Sequence, residues 1–85
     1  MKHPLEIKKY SGSLEDLAMD IGNLRYDALS SFLDALHKKM ATDAIKDQEK
    51  RRIKLAAHLE SCAQSLKEAC KHADLAWSIC KPYME

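Results

Sequence analysis

Between Pro4 and Pro82 the chain contains no proline, and its two glycines, Gly12 and Gly22, both precede Asn23. Proline and glycine are the residues that stop or loosen helices. So long a stretch without them, with apolar residues recurring in steps of three and four, reads as helix. Leu14, Leu17, Ile21, Leu24, Ala28, Phe32 and Leu36 follow such steps. From Leu55 onward a seven-residue pattern is sustained in three rows. One row is Leu59, Leu66, Ala73 and Cys80; a second is Leu55, Cys62, Ala69 and Ala76; a third is Ala56, Ala63, Cys70 and Trp77.

These patterns predict a lead-in over residues 1–12 and two helices over 13–85. Ser13 is a preferred N-cap, and Asp16 stands where the acidic arm of a capping box belongs. Helix 1 is expected over about 14–40, with Gly22 allowing a close contact. Thr42 or Asp43 is the next N-cap candidate, so helix 2 is expected over about 43–81, stopped by Pro82. The expected fold is all-α: a long antiparallel helical hairpin that dimerises into a four-helix bundle.

The apolar rows suggest a register. Pairing Leu17 with Leu66, Ile21 with Cys62, Leu24 with Leu59 and Ala28 with Leu55 aligns the apolar layers. The flanks then match in charge, Asp34 beside Arg51 and Asp27 beside His58. A two-helix seam buries one stripe per helix, yet helix 1 carries a second: Tyr26, Leu29, Leu33, Leu36 and Met40. Ile53 of helix 2 joins it. These six residues are the expected dimer interface, because soluble monomers rarely expose so large an apolar patch. Helix 2 also overshoots helix 1, leaving Trp77, Ile79 and Cys80 for residues 1–12 or a second chain to cover.

Chemistry-bearing constellations are few. His58 and Cys62 stand four apart, a spacing that suits two ligands of a transition metal. No second local ligand pair accompanies them, so no metal and no cofactor are expected. His58 is also a candidate phosphoryl acceptor, but a histidine phosphotransfer motif has a Lys and a Gly after the His, where Glu60 and Ser61 stand here. There is no Ser–His–Asp set, phosphate-binding Gly loop or paired carboxylate site, and no catalytic activity is expected.

Charge is more informative. Over all 85 residues the formal net charge is +1, from 14 Lys and Arg against 13 Asp and Glu. Residues 13–34 carry a net −4, with Glu15, Asp16, Asp20, Asp27 and Asp34 against Arg25. Residues 37–54 carry a net +4, with seven Lys and Arg against Asp43, Asp47 and Glu49. Lys46, Lys50, Arg51 and Lys54 therefore form a basic tip, a candidate partner-binding surface together with Trp77 at the other end. A protein partner is expected there. Nucleic acid is the alternative, less favoured because three acids are interleaved and no aromatic reading element accompanies them.

The run Asn23-Leu24, Asp27, Phe32-Leu33, Leu36 and Met40 resembles the small phycobilisome-degradation adaptor family of cyanobacteria. That resemblance spans residues 23–40 and implies a dimeric helical hairpin with an adaptor role. The second helix departs from the family pattern, and no functional residues carry over.

No apolar run approaches the ~18–20 residues of a membrane span. The first residues lack the apolar stretch of a secretory signal. Three Cys, none in a C-x-x-C pair, suit a reducing compartment. The chain is thus expected to be a small cytoplasmic interaction protein, homodimeric, with an unidentified protein partner and no membrane contact. Binding of nucleic acid through the tip is the first alternative, and a metal or phosphotransfer site at His58 the second.

Overall fold

A computed structural model describes residues 3–83. They form three α-helices, α1 (Leu14–Gly22), α2 (Tyr26–Glu49) and α3 (Ile53–Cys80), followed by a 3-10 turn over Lys81–Tyr83.

The expected capping box closes α1. The Ser13 hydroxyl accepts from the Asp16 N–H at 3.1 Å, and the Asp16 carboxylate accepts from the Ser13 N–H at 3.0 Å. These bonds satisfy two donors that a helix start leaves orphaned. The single helix expected over 14–40 does not form. It breaks at Asn23-Leu24-Arg25, where the Asn23 N–H returns to the Met19 carbonyl at 2.9 Å and the Leu24 N–H to Ile21 at 3.1 Å. The Gly22-Asn23 pair combines two weak helix formers. Gly22 allows no close approach, contrary to expectation, for a Cβ built there would meet nothing within 4 Å.

The turn expected at Thr42–Asp43 lies instead at Lys50-Arg51-Arg52. Thr42 and Asp43 are interior to α2: the Thr42 hydroxyl donates to the Lys38 carbonyl at 3.0 Å, and Asp43 pairs with Lys39 at 2.6 Å. The real stop is a left-handed cap. Arg51 has φ 61°, its N–H donates to the Gln48 carbonyl at 3.0 Å, and the Arg52 N–H donates to Asp47 at 2.9 Å. These are the two bonds of a Schellman motif, with arginine where glycine is usual.

Moving the turn resets the register. α2 and α3 lie side by side in opposite directions, with Arg25 against Trp77, Ser30 against Cys70 and His37 against Ala63. The expected charge pairs are replaced: Asp27 is held by Arg25 at 2.7 Å and Asp34 by Lys38 at 2.9 Å. The seam of α3 also turns by one position. Ala56, Ala63 and Ala73 are buried and Leu59, Leu66 and Cys70 half-buried, whereas Leu55, Cys62 and Ala69 are exposed. Buried Ser30 and Ala44, with half-buried His37 between them, face this seam from α2. Small side chains let the two helices approach closely.

The overshoot disappears in this register, because α2 begins beside the end of α3. Leu5, expected to help cover the Trp77 end, is 94% exposed. Residues 3–12 lead into α1, with His3 adding to the charges that lower the Asp43 pKa. Tyr10 ties them down through a hydrogen bond from its hydroxyl to Asp20.

The result is a slab. Its principal extents are 49 × 29 × 14 Å. Little of it is enclosed: among the described residues the buried apolar ones are only Ala44, Ala56, Ala63 and Ala73, and no large side chain is fully buried. The radius of gyration is 15.4 Å, against about 12 Å for a compact domain of this length.

Candidate functional site

The four tip residues singled out from the sequence come together. Lys46 closes the last turn of α2, Lys50 and Arg51 form the cap, and Lys54 opens α3. All four are exposed, and none takes part in an ion pair among the described residues. The neighbouring cations are engaged, Lys39 with Asp43 and Arg52 with Asp47 at 3.2 Å. Lys39 holds the Asp43 carboxyl below the usual carboxylate range. The acids interleaved in the sequence are therefore partly spent on other cations, leaving these four to face solvent.

Beside the tip runs an apolar groove of about 390 Å³, lined by Ala44, Ile45, Ile53, Ala56 and Ala57 and edged by Gln48, Glu49 and Glu60. Ile45 and Ile53 are 61% and 54% exposed. Four cations without ion-pair partners among the described residues thus adjoin two apolar side chains that are more than half exposed.

At the opposite end, Trp77 is half-buried, with the Arg25 guanidinium 5.0 Å from its ring centroid. Arg25 also donates two hydrogen bonds of 2.7 Å to Asp27. The pair holds the Asp27 carboxyl below its usual range and raises the guanidinium. Trp77 is thereby engaged within the chain. A shallow cleft of about 510 Å³ opens beside it, lined by residues 22–26 of the α1–α2 break and by Cys80.

A polar cluster that the sequence did not reveal links α2 and α3. The Ser30 hydroxyl donates to the Asp74 carboxylate, and the Cys70 thiol donates to the Ser30 carbonyl at 3.3 Å. Nearby, His37 Nδ1 donates to the Ala63 carbonyl at 2.9 Å. Ser30, His37 and Ala44 recur every seven residues on α2, a weak signal because two of them are polar. No buried side-chain nitrogen or oxygen among the described residues lacks a partner.

His58 and Cys62 are both exposed on α3, one turn apart. Among the described residues no group of three or more His, Cys, Asp or Glu side chains is placed to hold a metal ion. Tyr26 and Ile53 of the expected dimer interface are exposed, while Leu29, Leu33, Leu36 and Met40 are half-buried on α2. No helix of the described residues is long and apolar enough to cross a membrane.

Fold and site together define a flat, all-helical chain with a basic tip and uncovered apolar faces. Compared with protein-family models, with curated proteins and with solved structures, the chain matches none of them.

Proposed function

We propose that this chain is a small non-catalytic adaptor of the cytoplasm that works as a homodimer, two helical hairpins closing into a four-helix bundle. One observation carries the reading. The chain exposes 7151 Å², whereas a compact monomer of 9.7 kDa exposes about 5,100 Å². The excess, about 2,000 Å², exceeds the ~800 Å² that each partner contributes to a standard interface. A chain that flat gains a core by covering a face.

The basic tip is the working surface in this reading. Lys46, Lys50, Arg51 and Lys54 beside Ile45 and Ile53 suit an acidic segment carrying apolar anchors. Nucleic acid is the second reading, favoured by the four exposed cations without ion-pair partners. The two differ in salt response: phosphate contacts lose affinity steeply between 50 and 200 mM salt, by about tenfold or more for several contacts.

The test is absolute mass by light scattering under reducing conditions over a wide concentration range. A dimer persisting at low concentration is expected. A monomer throughout overturns the homodimer. Fluorescence anisotropy with labelled duplex DNA and RNA then decides the second reading, since salt-sensitive binding lost on Lys50→Glu with Lys54→Glu replaces the protein partner with nucleic acid.

A further inference from the structure

The helix α3 carries two parallel seams, of which the chain uses one. Beside the row packed on α2 lie Leu55, Cys62, Ala69 and Ala76, each seven residues from the next. The adjoining row is His58, Ser65, His72 and Ile79, again seven apart. Together they alternate by three and four over 25 residues, the spacing with which one helix packs along another. Seven of the eight are exposed and Ala76 is half-buried; Leu55 is 47% and Ile79 73% exposed.

The charges of α3 avoid this seam completely. Lys54, Glu60, Lys67, Glu68, Lys71 and Asp74 are the six charged residues of the helix, and all occupy the other heptad positions. On an ordinary solvated helix face, charges would be interspersed.

We propose that a second copy of the chain docks on this seam, α3 against α3, antiparallel about Lys67. The inference rests on the homodimeric reading and names its surface. Under that two-fold, Leu55 meets Ile79, His58 meets Ala76, Cys62 meets His72 and Ser65 meets Ala69 of the second copy. All eight positions find a counterpart. The size profile runs from large ends to a small centre and suits two helices that cross, closest at Ser65 and Ala69 and diverging toward Leu55 and Ile79.

Two further facts select the antiparallel arrangement. A parallel pair would stack His58 on His58 and His72 on His72. It would also bring basic tip onto basic tip, and the acidic α1, with Glu15, Asp16 and Asp20, onto its copy. The antiparallel pair sets each tip toward the acidic end of its partner and opposes the helix dipoles. The stripe expected on α2 is a poorer docking face, because Leu29, Leu33, Leu36 and Met40 are already half-buried within the chain.

The experiment combines mass with thiol chemistry. In the wild-type dimer the two Cys62 residues are ten positions apart along the pair, about 15 Å, beyond the ~7 Å limit for a disulfide. They are expected not to cross-link under mild oxidant. An equal mixture of Ser65→Cys and Ala69→Cys chains, both carrying Cys62→Ala, is expected to cross-link as a heterodimer far more than either chain alone. Ala69→Glu is expected to yield a monomer with its helical circular dichroism intact. A wild-type dimer that survives Ala69→Glu, or that cross-links readily through Cys62, overturns this docking and leaves the homodimer standing. Should Ala69→Glu fail to fold, absence of the 65–69 cross-link in a dimeric protein overturns the docking. A wild-type monomer overturns both.

Discussion

Arg25 lies over the Trp77 ring at 5.0 Å while its guanidinium grips Asp27 through two bonds of 2.7 Å. One residue thus joins the start of α2 to the end of α3. The aromatic face attracts the cation, and Asp27 fixes its orientation.

Removing Arg25 should be visible in tryptophan emission, since Trp77 is the chain's one tryptophan. Arg25→Gln is expected to shift that emission to the red and raise its quenching by acrylamide, with helix content unchanged. Trp77→Ala is expected to cost about 2 kcal/mol in urea unfolding, below the 3–5 typical of a fully buried ring because this one is half-buried.

Arg51 occupies left-handed backbone, which costs a residue with a Cβ about 1–2 kcal/mol. Arg51→Gly is expected to stabilise the fold by about 1 kcal/mol, measured as a higher urea midpoint at an unchanged slope. Destabilisation would mean that the Arg51 side chain supports the cap in a way the backbone bonds do not convey.

The two glycines should respond oppositely. At Gly22 an added Cβ meets nothing within 4 Å. Gly22→Ala is therefore expected to raise helix content and add up to about 1 kcal/mol. At Gly12 the Cβ would stand 2.8 Å from Tyr10 Cε2 and 3.0 Å from Asp16 Cβ. Gly12→Ala is expected to displace the Tyr10 ring, seen as faster amide exchange over residues 7–12.

The hydrogen bond to Asp20 pushes the Tyr10 phenol up to about 12 from its ordinary value of 10.0. A pKa raised by folding stabilises the protonated form, so this contribution is full below pH 10 and is lost as pH rises toward 12. Subtracting the ultraviolet titration of Tyr10→Phe from that of the wild type should leave a phenol ionising near pH 12. Asp16, Asp27 and Asp43 have the opposite sign. Ser13, Arg25 and Lys39 respectively lower their pKa values. Their contribution is present above the ordinary carboxylate pKa, near 3.8, and fades as pH falls below it. Asp27→Asn is expected to flatten the acid limb of the stability curve.

What could be read in advance was what neighbours along the chain decide. Ser13 and Asp16 cap α1 as their spacing requires, and the helical run ends at Cys80, just before Pro82. Lys46, Lys50, Arg51 and Lys54 fall within nine residues of one another, so they stay neighbours at the α2–α3 turn although that turn lies later than Thr42–Asp43. Thr42 and Asp43 misled because cap-forming side chains have other uses inside a helix. One bonds the carbonyl four residues back, and the other pairs with a lysine.

The sequence by itself determined that this chain is helical, where its first helix begins and where its last one ends, since caps, proline and apolar period act over a few residues. Only the tertiary structure decided the turn and the register. Nothing local marks Arg51 for left-handed backbone. The rows at Leu55 and Ala56 have the same period and differ only in which packs on α2. That choice fell to the Ala56 row, with Ser30, Cys70 and Asp74 bonded between the helices. Packing over many residues makes such a choice, and it left the other row of α3 uncovered.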